Sequence, residues 1–229
     1  MEIDDVSDDI QWMQLLQKLK GKLQAASKRK GERPKDRKSR GQLVDEHMSI
    51  YVGTKMELAV ASLNQHSIHS SFIAPPYQPC VASLTELKKT WIRDLQLETH
   101  HRGFYALLKV VTPPTRMTAV MAVVEDEIGD GVTLQLYQQK DDEYRKGEEV
   151  VQVNKACIIK EPYFKVMSDG NYGLRVDHVS DIIWLPSDDD RLPFAWQSRI
   201  TELEEDAESL KNEGNDALKA GKIYQAIEM

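Results

Sequence analysis

"MTAVMAVVEDEIGDGVTLQLYQQ", Met117 to Gln139, decides the fold class, because its period is two rather than 3.6. After the Gly-Asp-Gly turn, Val132, Leu134 and Leu136 fall on one face and Thr133, Gln135 and Tyr137 on the other. Two such arms around a glycine-containing turn make a β-hairpin. The same turn, Asp126 to Gly131, superficially offers calcium-loop oxygens, but Ile128 stands where a ligand is needed and no glutamate closes the loop. A hairpin turn is the expectation.

The pattern spreads in both directions. "FYALLKVV", Phe104 to Val111, is an apolar strand, and "EEVVQVNKACIIKEPYFKVM", Glu148 to Met167, supplies a strand before Pro162 and room for another after it. "SDGN" then turns the chain into "YGLRVD", Tyr172 to Asp177. Five or six short strands within about 85 residues predict a small antiparallel barrel, OB-like, or a sandwich.

Helical signals flank this block, so the fold class expected is α+β. Ile10, Met13, Leu15, Leu16, Leu19 and Leu23 recur at helical spacing within residues 1–26. A second helix is expected from Asp45 to Asn64, with Met48, Val52 and Met56 on its apolar side. "IAPPYQPC", Ile73 to Cys80, forces an extended segment through its prolines. "SLTELKKTWIRDLQLE", Ser83 to Glu98, opens with a capping-type serine and predicts a third helix burying Leu84, Leu87, Trp91, Ile92 and Leu95. The expected organisation is a helix over 1–26, a basic disordered linker over 27–44, a helical segment over 45–98, an all-β domain over 99–186, a linker over 187–198 and a helical unit from 199 to 229.

Composition narrows the function. A hydrophobic fraction of 41%, a charged fraction of 29% and no bilayer-length apolar run describe a chain without a membrane helix. The acidic start "MEIDDVSDD" lacks the basic and apolar regions of a secretory signal, so an intracellular protein, in cytoplasm or nucleus, is expected. Cys80 and Cys157 are far apart and have no histidines at finger spacing, and His66, His69, His100, His101 and His178 read as loop residues rather than metal ligands. No nucleophile elbow, phosphate loop or catalytic triad order is present, so no cofactor is expected within this chain.

The net charge of −7 conceals one basic run, "SKRKGERPKDRKSRG", Ser27 to Gly41. Lys28, Arg29, Lys30, Arg33, Lys35, Arg37, Lys38 and Arg40 form a candidate basic signal for an importin or a contact for nucleic acid, with a solvated linker as the plain alternative. On an OB-like barrel, Tyr163, Phe164, Tyr172 and Trp184 beside Lys160, Lys165 and Arg175 would offer a stacking platform for single strands. Against it stand the interleaved acids Glu161, Asp169, Asp177 and Asp181.

"AESLKNEGNDALKAGKIYQAIEM", Ala207 to Met229, places Leu210, Gly214, Ala217, Leu218, Gly221, Ala226 and Ile227 as a helix-turn-helix repeat requires. It resembles the first repeat of the tetratricopeptide (TPR) family, "LKxxGNxxxKxGxYxxAI", departing at Ile223 with Tyr224 displaced by one place. Such repeats run about 34 residues and need about three or more copies for stability, so a longer repeat protein is expected. The resemblance implies that Lys211, Asn215 and Lys219, spaced four apart, form half of a clamp for the acidic C-terminal tails of chaperones. "IIKEPYFKVMSDGNYGLRVDHVSDIIWL", Ile158 to Leu185, resembles the β domain that precedes a TPR array and a SET domain in fungal protein-lysine methyltransferases. That resemblance spans residues 84–229 and implies a protein-interaction module, or the substrate-presenting part of a methyltransferase. It also implies that S-adenosylmethionine is used only if a SET domain follows, because no SET motif lies in this chain.

Overall fold

The computed structural model describes residues 24–61, 75–140, 145–167 and 169–197, together with 13, 17 and 20–22. Two compact units divide the chain, Met1–Pro186 and Ser187–Met229. Within the second, the described residues form one 3-10 turn, Phe194–Trp196, and an Asp189–Arg191 ion pair of 2.6 Å. The TPR-like stretch and most of the first expected helix lie outside the described residues.

The first unit is α+β. Its strands are β1 (Lys88–Lys89), β2 (Thr99–His100), β3 (Phe104–Val110), β4 (Thr115–Arg116), β5 (Val120–Glu125), β6 (Gly131–Leu136), β7 (Ala156–Lys160), β8 (Tyr163–Val166), β9 (Tyr172–Val176) and β10 (Ile182–Trp184). The sheet order is β10-β7-β3-β5-β6-β9-β8-β2, with β1 beside β3 and β4 beside β5. β3, β5 and β6 form an antiparallel meander, β9 returns parallel to β6, and β8 pairs antiparallel with β9.

The ring closes because β7 and β8 are one strand bent at Glu161-Pro162: β7 pairs with β3 while β8 pairs with β9. Glu161 takes a positive φ of 47° there, and its carboxylate is gripped by the Gly103 amide at 3.0 Å and by Arg102. Counting the bent strand once gives the five-stranded Greek-key ring of an OB-like barrel. The alternation read from the sequence fills it: Val132, Leu134 and Leu136 point inward beside Leu108, Val124 and Leu174, all at most 3% exposed. Each such side chain contributes about 1.5–3 kcal/mol by leaving water.

Two expectations about helices are revised. Residues 83–98 do not form a helix. The Ser83/Glu86 capping box is present, yet it serves a single 3-10 turn, Leu84–Glu86. The chain then pairs alongside β3, with Thr90 N donating to Tyr105 O at 2.8 Å, and makes a second 3-10 turn at Ile92–Asp94. Leu95 and Leu97, two apart, are both fully buried as the plug of one barrel end, whereas Trp91 is 37% exposed. Burial at spacing two overrides a cap whose isolated helix would be marginal. The second helix, α1, runs Arg40–Ala61, earlier than expected. Ser39 and Gln42 start it by exchanging hydrogen bonds, Ser39 N to Gln42 Oε1 at 2.9 Å and Gln42 N to Ser39 Oγ at 3.3 Å. Its docking residues are Leu43 and His47, one turn apart, while Val52 and Met56 are exposed.

A 3-10 turn at Val179–Asp181 precedes β10, and a short helix, α2 (Gly147–Val150), caps the long connection into β7. The Asp126–Gly131 turn is a hairpin turn, as expected. Asp126 engages its own carboxylate with the amides of Ile92 (2.9 Å), Asp130 (3.0 Å) and Ile128 (3.2 Å). Burial holds its pKa above the usual carboxylate range.

Candidate functional site

The basic run is built into the barrel rather than a solvated linker. Residues 24–28 are helical, and Gly31, with φ of 81°, turns the chain so that its amide donates to Leu97 O at 2.9 Å and Leu97 N returns a bond to Glu32 O at 2.8 Å. Only a residue at ease with positive φ suits that turn. Beyond it the segment runs without regular secondary structure to Ser39, bending at Lys35.

Two of its arginines, Arg29 and Arg37, turn toward the barrel. Arg29 forks onto Glu32, with both bonds at 2.8 Å, donates to the Tyr172 hydroxyl at 2.7 Å, and lies 5.3 Å from the Tyr172 ring centroid. Tyr172 in turn donates to Asp36 at 2.8 Å. The Arg29 bond holds the Glu32 carboxyl below its ordinary range, and the Tyr172 hydroxyl does the same for Asp36. Arg37 donates to the backbone carbonyls of Ile92 and, at 2.7 Å, of Leu95, with its guanidinium 4.8 Å from the Phe164 ring centroid. Burial lowers its pKa, but a guanidinium stays charged. Arg40 pairs with Glu125, which Lys109 also meets at 3.1 Å, and Lys38 pairs with Glu46 at 2.6 Å. Arg33 makes a 3.5 Å contact with Asp94 and stays 61% exposed. Lys28, Lys30 and Lys35 are exposed. The eight residues of the candidate signal thus separate into an inward clasp and an outward row.

Helix α1 lies over β4, β5 and β6. His47 Nε2 meets Pro113 O at 2.8 Å, and burial depresses its pKa, so the neutral ring donates that bond. Gly131 permits the approach, since a Cβ there would stand 3.1 Å from the Arg40 Cα. In an OB barrel the second and third strands of the meander form the oligonucleotide face; here those are β5 and β6, and α1 covers them. The cleft between clasp and barrel, lined by Asp36, Arg37, Leu43, Ile92, Phe164 and Tyr172 among others, holds about 100 Å³. Small-molecule sites usually offer roughly 300 Å³ or more.

The stacking platform expected from the sequence is not assembled. Phe164 is 1% exposed in the core, and Arg175 is 5% exposed and bonded through Nε to Asp177 at 2.7 Å. Tyr172 is engaged by the clasp, Tyr163 donates to Glu98 at 3.3 Å, and Trp184 packs half-buried on the core. Burial pushes the Tyr163 phenol up to about 12 and lowers the Lys165 ammonium. Period-two reading cannot tell an inward aromatic from an outward one next to the β7–β8 bend, where the strand changes neighbours. Lys211, Asn215 and Lys219 lie outside the described residues.

A second constellation escaped the sequence reading. Residues 75–80 form a strap held by backbone-to-side-chain bonds: Tyr77 N to Asp177 Oδ2 at 3.2 Å, Cys80 N to Asp181 Oδ1 at 2.9 Å, and Arg102 to Gln78 O at 2.9 Å. The Tyr77 ring meets His100 edge-on at 4.4 Å and His178 at 5.3 Å. Burial raises the Tyr77 phenol and lowers His100, so these groups stay neutral near pH 7. The two histidines read as loop residues are therefore parts of an aromatic cluster. The only sequence signal was the three prolines that keep the strap extended. Cys80 and Cys157 are buried free thiols, Cys157 pushed up to about 12 by burial. Among the described residues no group of His, Cys, Asp and Glu could hold a metal ion, and no helix is long and apolar enough to cross a membrane.

No protein-family model matches the chain. Across all 229 residues it is 37% identical to a protein named "Methyltransferase" from Gibberella zeae (strain PH-1), and it spans 29% of that protein's length. Among solved structures, the barrel is similar to Schizosaccharomyces pombe Pot1pC bound to ssDNA (TM-score 0.34, 11% identity, 45% of this chain and 90% of that one). It is likewise similar to fission yeast Pot1 with ssDNA (TM-score 0.35, 10% identity, 45% and 41%). A third is the OB domain of MM0293 from Methanosarcina mazei (TM-score 0.33, 15% identity, 48% and 89%). With TM-scores this low, the OB-like description rests on the strand order itself. The chain is thus similar over its whole length to under a third of a larger fungal protein named for methyl transfer.

Proposed function

We propose that this chain is a non-catalytic interaction module within a larger methyltransferase-like protein. The observation that carries the reading is that the oligonucleotide face of the barrel is occupied by its own helix α1 and flanked by the arginine clasp. A barrel closed in this way serves as a scaffold that presents other surfaces. The partner-binding element would be the TPR-like helices of residues 199–229, where Lys211, Asn215 and Lys219 would contribute half of a carboxylate clamp for an acidic C-terminal tail, such as a chaperone's. Methyl transfer, with S-adenosylmethionine as donor, would belong to a SET domain elsewhere in such a protein, and its work would be in the cytoplasm or nucleus.

Calorimetric titration tests both halves. The 229-residue chain is expected to give no binding heat with S-adenosylmethionine. A longer protein that contains it is expected to bind an acidic peptide with a free C-terminal carboxylate, and Lys211→Ala should weaken that binding about ten-fold or more, as loss of a charge-assisted bond does. Cofactor binding by the 229-residue chain would overturn the non-catalytic reading, and peptide affinity untouched by Lys211→Ala would overturn the clamp.

A further inference from the structure

The basic run is sorted by residue type. Arg29 and Arg37 turn to the barrel, where forked donors and a flat guanidinium suit carboxylates, paired carbonyls and ring faces. Lys28, Lys30 and Lys35 turn to solvent with the weakly paired Arg33, and the buried Pro34 sits between them. The acids of the segment are paired away from this row, Glu32 with Arg29 and Asp36 with Tyr172 and Arg29. Asp94 faces Arg33 alone. The chain beneath is pinned through the Gly31 amide, the Glu32 carbonyl and the Arg37 side chain, so the backbone of the row needs no ordering before it meets a partner.

We propose that Lys28, Lys30, Arg33 and Lys35 form a preordered cationic ridge that takes the phosphate backbone of a nucleic acid, without reading its bases. The four cations fall within eight consecutive residues of a chain that turns at Gly31 and bends at Lys35, so charge is spread along the chain rather than gathered on one residue. Lysine ammonium groups are point charges that need no fixed acceptor geometry, as a mobile phosphate chain presents. An acidic protein segment would be served better by a row of arginine forks, and those of Arg29 and Arg37 face inward, leaving Arg33 alone among lysines. The ridge carries no exposed apolar residue within its span that could enter a lipid surface: Gly31 and Glu32 lie between its cations, Pro34 is buried, and Asp36 follows them. The contact differs from a barrel-face mode, because β5 and β6 are covered.

Fluorescence anisotropy with the whole chain tests the ridge, using labelled oligothymidylate of about 20 nucleotides and a duplex of about the same length, at about 50 mM salt. Binding of the single strand is expected to weaken as salt rises, with a log–log slope of about −2 to −3, at about −0.7 per phosphate contacted. Lys28→Glu with Lys30→Glu and Lys35→Glu together should lower affinity about ten-fold or more. The melting temperature should not move, since these side chains have no partner among the described residues; the glutamine triple variant should show a smaller loss in the same direction. Duplex binding that is lost in the same variants assigns the ridge to either strand form and also supports it. Absence of binding to both probes, binding indifferent to the triple variants, or equal competition by polyglutamate would overturn it.

Discussion

Arg37→Ala is expected to destabilise the barrel unit by roughly 3 kcal/mol, combining an orphaned buried carbonyl at about 1–3, a lost second partner at about 0.5–1.5 and a lost cation–π contact at about 0.5–2. The orphan is Leu95 O, on a residue with 0% exposure. Ile92 O keeps its bond from Leu95 N at 3.1 Å and loses only the guanidinium. For a unit of this size the melting temperature should fall on the order of 10 °C. Arg37→Lys should recover less than half, because one ammonium cannot reach both carbonyls and lie flat on Phe164. Lys35→Ala, two residues away on the exposed row, should stay within about 0.5 kcal/mol. Equilibrium urea unfolding of the three variants checks the ordering. A loss at Arg37 no larger than at Lys35 would mean that the run is a solvated tether after all.

Asp177→Ala should cost about as much or more, roughly 3–5 kcal/mol, because it leaves the Arg175 guanidinium buried without its carboxylate. Asp177 is 2% exposed and Arg175 5%. The same aspartate also accepts the Tyr77 amide, so its removal loosens the strap of residues 75–80 at a second point. The double variant Arg175→Met with Asp177→Leu removes both charges and is expected to regain most of the loss. If the single variant unfolds at the wild-type urea midpoint, the pair is not holding the barrel end.

The difference between what could and could not be read from the sequence has a physical origin. The hairpin around Asp126–Gly131 and the inward set Val132, Leu134 and Leu136 were legible because both depend on near neighbours. The bend at Glu161-Pro162 was visible only as a possible strand break; that one strand crosses there from β3 to β9 is a long-range fact. Residues 83–98 misled because a local signal, the Ser83/Glu86 box, is real and yet serves a single turn, while Leu95 and Leu97 answer to the barrel end. Composition alone made the basic run a linker. Its arginines find carbonyls at Ile92 and Leu95 and rings at Phe164 and Tyr172, partners 55 to 143 residues away in sequence. For the candidate site the same holds: the residue types were singled out, but their inward or outward facing, which separates clasp from ridge, is set by those distant partners. The Tyr77, His100 and His178 cluster joins three segments and had no pattern to announce it.

Residues 29–37 are part of the folded barrel unit, and native-state hydrogen exchange at Gly31 and Leu97 reads this out. Both amides donate across the junction, Gly31 to Leu97 O and Leu97 to Glu32 O. They are expected to exchange on the order of a thousand-fold or more slower than in an unstructured peptide, and Arg37→Ala should release Gly31 before the barrel strands open. Exchange of the Gly31 amide at the unstructured rate, with β3 and β5 still protected, would show that the run is detached from the barrel.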